Sequence, residues 1–240
     1  MRTLDDKSAN RLSPGADHYR AYVGPPTQYD FMGATQFALL FALGMREHHK
    51  VLDFGCGSLR AGRLLIPYLD PGCYFGIEPN TWLIDEGVER QLGRDILSVK
   101  RPSFSTSDTF SAEVFGEYFD IIVAQSIFSH GGTDIARTAI GSFANVLAPA
   151  GIGLATFIEG DGDTPDGWRY PGIVTYRAGL VQSIFAERCL VATPLPWFHP
   201  RQTWWLFAAK ARDLPPEPQL RLLRGIVLRA PEFAASVPAT

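Results

Sequence analysis

Two carboxylates and a glycine bend carry the first chemical signal in this 240-residue chain. Asp53 sits at the end of a short apolar run in VLDFGCGSLRAG, and Gly55 and Gly57 follow it in the turn. Glycines without a Cβ let backbone approach a nucleoside closely, while Asp53 and the amides at the start of the next helix offer partners to a zwitterionic amino-acid tail. A G-x-G turn alone is equally a tight strand-to-helix connection. Glu78 changes the balance, because it ends the next apolar run about 20 residues on, where a carboxylate accepts hydrogen bonds from ribose hydroxyls.

The elements that would position these residues alternate between strand-like and helix-like from about residue 50 to residue 210. Strands are expected at 51–54, 74–77, 103–106, 119–124 and 152–158, with helices over 60–68, 81–91, 133–147 and 176–187 between or after them. Such alternation implies a parallel sheet. The run FDIIVA at 119–124 is the clearest strand, apolar and β-branched as a doubly covered strand should be. Pro149-Ala150-Gly151 reads as a turn. Segments 189–194 and 203–209 are too close together for a helical crossover and so predict an antiparallel hairpin. A short basic helix is expected at 220–228.

Composition limits the function classes. Lys and Arg total 22 against 25 Asp and Glu, a net charge of -3 that gives no overall attraction to a phosphate backbone or anionic lipid. No nucleic-acid or membrane partner is expected. Cys56, Cys73 and Cys189 are odd in number and lack metal-ligand spacing, which argues against a disulfide framework or zinc site and suits a reduced cytoplasm. The N-terminal stretch is polar and has no hydrophobic signal core. Length allows one main domain, taken as 36–210, with an N-terminal segment at 1–35 and a tail at 211–240. The sequence leaves the oligomeric state open, a homodimer among the options.

With these residues in place, the chain resembles the class I S-adenosylmethionine-dependent methyltransferases. VLDFGCGS matches their first motif, and FGIEPN, FDIIVAQSIFSH, LAPAGIGLATF and the terminal hairpin follow in the family's order. The resemblance implies an α/β, Rossmann-like, seven-stranded and mostly parallel sheet, with helices on both faces and a C-terminal antiparallel hairpin. It also implies S-adenosylmethionine as cofactor. Asp53, Gly55 and Gly57, with Cys56 between them, would hold the methionine portion. Glu78 and Pro79 would meet the ribose, Asp108 or Ser107 the adenine, and Gln125 with Ser126 would lie beside the sulfonium. One departure stands out: Leu59 occupies the motif's third glycine position and Arg60 follows it, which predicts a wider turn.

Methyl transfer from a sulfonium needs alignment more than acid–base help, but a hydroxyl acceptor must lose its proton. His130, just after the fourth strand in SIFSHGG, is the candidate base, and His199 is a weaker one. Capping or packing accounts for His130 equally well on sequence alone. Tyr19, Tyr22, Tyr29 and Asp30 stand in segment 1–35, which the resemblance implies is a lid or cap, with tyrosine packing the plain alternative. The acidic segment 159–167 matches no calcium-loop spacing and reads as a plain loop, with no metal site expected. The strand end Gln125-Ser126-Ile127-Phe128 lacks both the Asn/Asp-Pro-Pro-aromatic box of amino methylation and the Pro-Cys nucleophile of cytosine C5 methylation. A small-molecule acceptor remains, with a hydroxyl of a glycan or secondary metabolite favoured. Two other readings survive, a noncatalytic cofactor-binding or partner-binding module and an NAD-dependent oxidoreductase, the latter weakened because Arg60 fills that fingerprint's third glycine.

Overall fold

The computed structural model describes residues 5–225. Along the chain come α1 (Asp6–Ala9), α2 (Tyr19–Tyr22), α3 (Tyr29–Ala42), β1 (Val51–Phe54), α4 (Gly62–Tyr68), β2 (Tyr74–Ile77), α5 (Thr81–Gly87) and α6 (Asp95–Lys100). There follow β3 (Ser103–Ser105), β4 (Phe119–Ala124), α7 (Thr133–Val146), β5 (Leu147–Glu159), β6 (Thr175–Tyr176), α8 (Ala178–Ala186), β7 (Val191–Leu195), β8 (Thr203–Ala208) and α9 (Glu217–Leu220).

The sheet runs β3-β2-β1-β4-β5-β8-β7, with the two-residue β6 paired to the end of β5. Its first five strands are parallel, and β8 joins antiparallel to both β5 and β7. The hairpin expected from the short spacing between the last two strands is therefore present, and the strand that follows inserts inside its partner.

Alternating side chains sort into two cores, one on each face of the sheet. On one face Leu52, Phe54, Ile122 and Phe207 pack against Ile140 and Phe143 of α7 and Ile184 and Phe185 of α8. On the other, Val51, Ile121, Val123, Leu154 and Trp204 pack against Leu39 and Leu40 of α3 and Leu65 and Ile66 of α4. Burial on both faces explains why β1 and β4 read as mainly apolar runs, interrupted only by Asp53 and Asp120.

Several boundaries differ from expectation. Helix α4 starts at Gly62 rather than residue 60, because Gly55, Gly57 and Leu59 all adopt left-handed backbone, with φ of 76°, 53° and 58°. Strand β5 begins at Leu147, so Pro149-Ala150-Gly151 is an irregularity within the strand rather than a turn before it. There Ala150 has φ of 63° and the register with β4 shifts between Phe119 and Ile121. Tyr176 belongs to β6, leaving α8 to start at Ala178. Helix α3 runs across the expected segment boundary at 35/36. In the tail a single turn of helix, Glu217–Leu220, stands N-terminal to the expected basic helix, whose span beyond 225 lies outside the described residues.

Candidate functional site

Parallel sheets present ligands at the carboxyl ends of their strands. A cavity of about 830 Å³ lies there, lined by Asp53, Gly55, Cys56, Gly57, Glu78, Pro79, Ser107, Asp108, Gln125, Ser126 and His130, and by Tyr22 but not Tyr19, Tyr29 or Asp30 of the N-terminal segment.

Asp53 follows from β1 register. Its carboxylate is buried and accepts a hydrogen bond from Tyr74 Oη at 2.9 Å. Burial pushes its pKa up to about 6, against the lowering effect of that hydrogen bond and of the Arg60 charge. Glu78, at the end of β2, ties the two turns together. Its Oε2 accepts from Gly57 N at 3.2 Å, and its Oε1 accepts from Asn80 N at 2.8 Å and Asn80 Nδ2 at 2.7 Å. Burial raises its pKa in spite of these bonds.

The bend itself is tighter than the leucine at position 59 predicts. Leu59 keeps the left-handed conformation that a third glycine would supply, at a cost of about 1–2 kcal/mol for an L-residue. Its side chain is fully buried. Space for it comes from glycines elsewhere: a Cβ on Gly62 or on Gly87 would approach Leu59 atoms to 3.0–3.1 Å. The bend's amides are largely committed to the protein, since Gly55 N and Cys56 N both donate to Ile77 O at 2.9 Å. The buried Cys56 thiol lies against Gly76, where a Cβ would come within 2.9 Å of its sulfur.

At the end of β4, Gln125 is buried and Ser126 is held in the left-handed region, with φ of 64°. Such strain collects at ligand sites. Ser126 N donates to Thr156 Oγ1 at 2.7 Å, and Ser126 Oγ accepts from Gln202 Nε2 at 2.9 Å. The buried amide oxygen of Gln202 has no partner among the described residues. His199 meets this cluster from the loop between β7 and β8. Its Nδ1 accepts from the backbone N–H of Arg201 at 3.2 Å and of Gln202 at 3.0 Å. The neutral ring therefore carries its proton on Nε2, 3.4 Å from the Gln125 amide, which accepts that proton only by turning its oxygen to the ring. Burial, then the Arg60 and Arg201 charges, push its pKa down to about 3.

His130 has the opposite arrangement. Its Nδ1–H donates to the Gly172 carbonyl at 2.7 Å, which leaves Nε2 as the free lone pair. Burial lowers its pKa below 6.5, partly offset by the Gly172 bond. The ring packs edgewise on Tyr170 at 4.9 Å between centroids, and Trp168 stands 5.9 Å away.

The N-terminal segment is stitched to the glycine bend. Ser58 Oγ donates to Tyr19 O at 2.7 Å, Tyr29 Oη to Ser58 O at 2.9 Å and Arg60 Nη1 to Val23 O at 2.7 Å. On its far side Tyr170 Oη donates to Tyr22 O at 2.7 Å. Sequence reasoning left out Arg60, Asn80 and Gln202 as lining residues, and no spacing rule would have found them. They enter through a turn, a helix start and a long loop. In segment 159–167, Asp166 Oδ1 accepts from Asp134 N at 3.2 Å, at the start of α7.

No protein-family model matches the sequence, and no curated protein is similar to it in sequence. Solved structures are similar in fold. Magnesium protoporphyrin IX methyltransferase (ChlM) from Synechocystis PCC 6803, with bound S-adenosylhomocysteine, superimposes with a TM-score of 0.57 at 13% identity, over 77% of this chain and 84% of that one. A putative O-methyltransferase from Nostoc punctiforme PCC 73102 gives 0.58 at 14% identity, over 76% of this chain and 56% of its own. An S-adenosylmethionine-dependent methyltransferase from Clostridium acetobutylicum ATCC 824 gives 0.56 at 12% identity, over 74% and 91%. Strand order, the antiparallel hairpin at the sheet edge and these likenesses together give the chain the class I S-adenosylmethionine-dependent methyltransferase fold.

Proposed function

We propose that the protein transfers the methyl group of S-adenosylmethionine to a small-molecule acceptor, a hydroxyl of a glycan or secondary metabolite. The observation that carries this reading is the meeting of Asp53, Glu78 and His130 on one cavity, with the two carboxylates at adjacent parallel strand ends. The residues fit the cofactor: an acidic group for an ammonium, a second for a diol, and a buried Gln202 amide oxygen that has no partner among the described residues. Ser107 and Asp108 stand at the adenine end.

The cofactor supplies a sulfonium-activated methyl group. The chain's part is to hold the acceptor oxygen in line with it and keep water out. His130, neutral and pinned through Nδ1, takes the acceptor's proton at Nε2. Trp168 and Tyr170 give an aromatic wall to the acceptor side, and the segment from Tyr19 to Gln28 acts as a cap over the cofactor. Incubation with methyl-labelled S-adenosylmethionine and fractionated small-molecule and polysaccharide extracts tests the reading. Label should appear in one small-molecule or glycan fraction; label in none, despite cofactor binding, would make the protein a binding module.

A further inference from the structure

Among the described residues Arg60 forms no ion pair. It lines the cavity, and its guanidinium makes one hydrogen bond, Nη1 to the Val23 carbonyl at 2.7 Å. Its Nε and Nη2 have no partner among the described residues. Nearby arginines are not left this way: Arg20 and Arg63 pair with Asp30 at 3.1 and 2.9 Å. Asp53 is near enough for its field to act on Arg60, yet it makes no ion pair and gives its oxygen to Tyr74. A desolvated guanidinium remains charged, so a partly buried one facing a cavity is a site for an anion.

The glycine bend sharpens the assignment. Amides at such a bend would ordinarily be candidates for a carboxylate, but Gly55 N, Cys56 N and Gly57 N are already spent on Ile77 O and Glu78 Oε2. The charged donor on this side of the bend is the Arg60 guanidinium. Asp53 and Arg60 thus stand on either side of it as a negative and a positive group, the charge pattern that complements an α-amino acid.

We propose that Arg60 is the binding residue for the α-carboxylate of the cofactor's methionine end, with Asp53 taking its ammonium. This rests on the reading of the cavity as an S-adenosylmethionine site. Charge-assisted hydrogen bonds to a carboxylate set the expected effect at roughly 10- to 100-fold in affinity.

The test is calorimetric titration of wild type, Arg60→Met and Arg60→Lys with two probes. S-adenosylhomocysteine has the carboxylate. S-adenosyl-3-thiopropylamine keeps the amine and nucleoside but lacks it. Wild type should prefer S-adenosylhomocysteine. Arg60→Met should lose that preference by weakening this ligand alone, and Arg60→Lys should recover part of it. Unchanged binding of the amine probe shows that the variant cavity is intact. Equal loss for both probes, or no loss for either, overturns the assignment while leaving the nucleoside site standing. Failure of wild type to bind either probe overturns both.

Discussion

At the scale of single residues the decisive groups differ in what holds them. Glu78 is preorganised by three hydrogen bonds from Gly57 and Asn80, so its position does not depend on a ligand. Glu78→Ala should weaken S-adenosylhomocysteine by at least ~1.5 kcal/mol, the scale of a hydrogen bond to a charged group, as read by calorimetry. Unchanged affinity would remove Glu78 from the ribose site. His130 acts through its lone pair, which protonation removes. Because burial lowers its pKa below 6.5, turnover should be level above pH 6.5 and fall as pH drops through that lower value. His130→Ala should cut kcat by roughly 10²- to 10⁴-fold while changing cofactor affinity little. A variant that turns over as fast as the parent would exclude His130 as the base. His199 cannot replace it, since two backbone amides occupy its Nδ1 and its Nε2 carries the proton.

At the scale of elements, the glycine bend shows what a sequence motif does and does not convey. The apolar runs of β1, β2 and β4, and the carboxylates at the ends of β1 and β2, were legible because burial on both faces and strand-end placement leave a trace in the sequence. Leu59 was not. Its left-handed backbone depends on room made by Gly62 and Gly87, the second of them more than one element away. A motif scan sees only a missing glycine. Leu59→Gly would relieve about 1–2 kcal/mol of backbone strain but remove a fully buried side chain worth about 2–5 kcal/mol. Burial wins, and the variant should unfold at lower denaturant, by about 1–3 kcal/mol. Equal or greater stability would show that the bend and not the packing dominates. Strand β5 was misread for a related reason: Pro149-Ala150-Gly151 has turn chemistry, and only the pairing of Leu147 with Phe119 keeps it within the strand.

At the scale of the molecule, opposite ends of the chain converge on one cavity. The N-terminal segment reaches it through Arg60 and Ser58, and the β7–β8 loop reaches it through His199 and Gln202. These long-range meetings have no local sequence signal. Convergence also links the site to stability. In the unfolded chain a histidine titrates near 6.5, whereas His199 is held down to about 3 in the fold. Between those values the unfolded state binds more protons, so this contribution is complete above pH 6.5 and is lost as pH falls through the window. Asp53, raised to about 6, works the other way between about 4 and 6, binding its proton more readily in the fold. Denaturant midpoints measured from pH 7 to pH 4 should therefore fall less steeply in His199→Gln than in the parent. Identical slopes would show that His199 does not carry the acid sensitivity.

The most direct measurement of the central claim is a crystal of the protein soaked in S-adenosylhomocysteine. The account requires density in the cavity at the ends of β1, β2 and β4, with the ribose hydroxyls against Glu78 and the amino-acid end beside Asp53. Density seated anywhere else on the protein would contradict it.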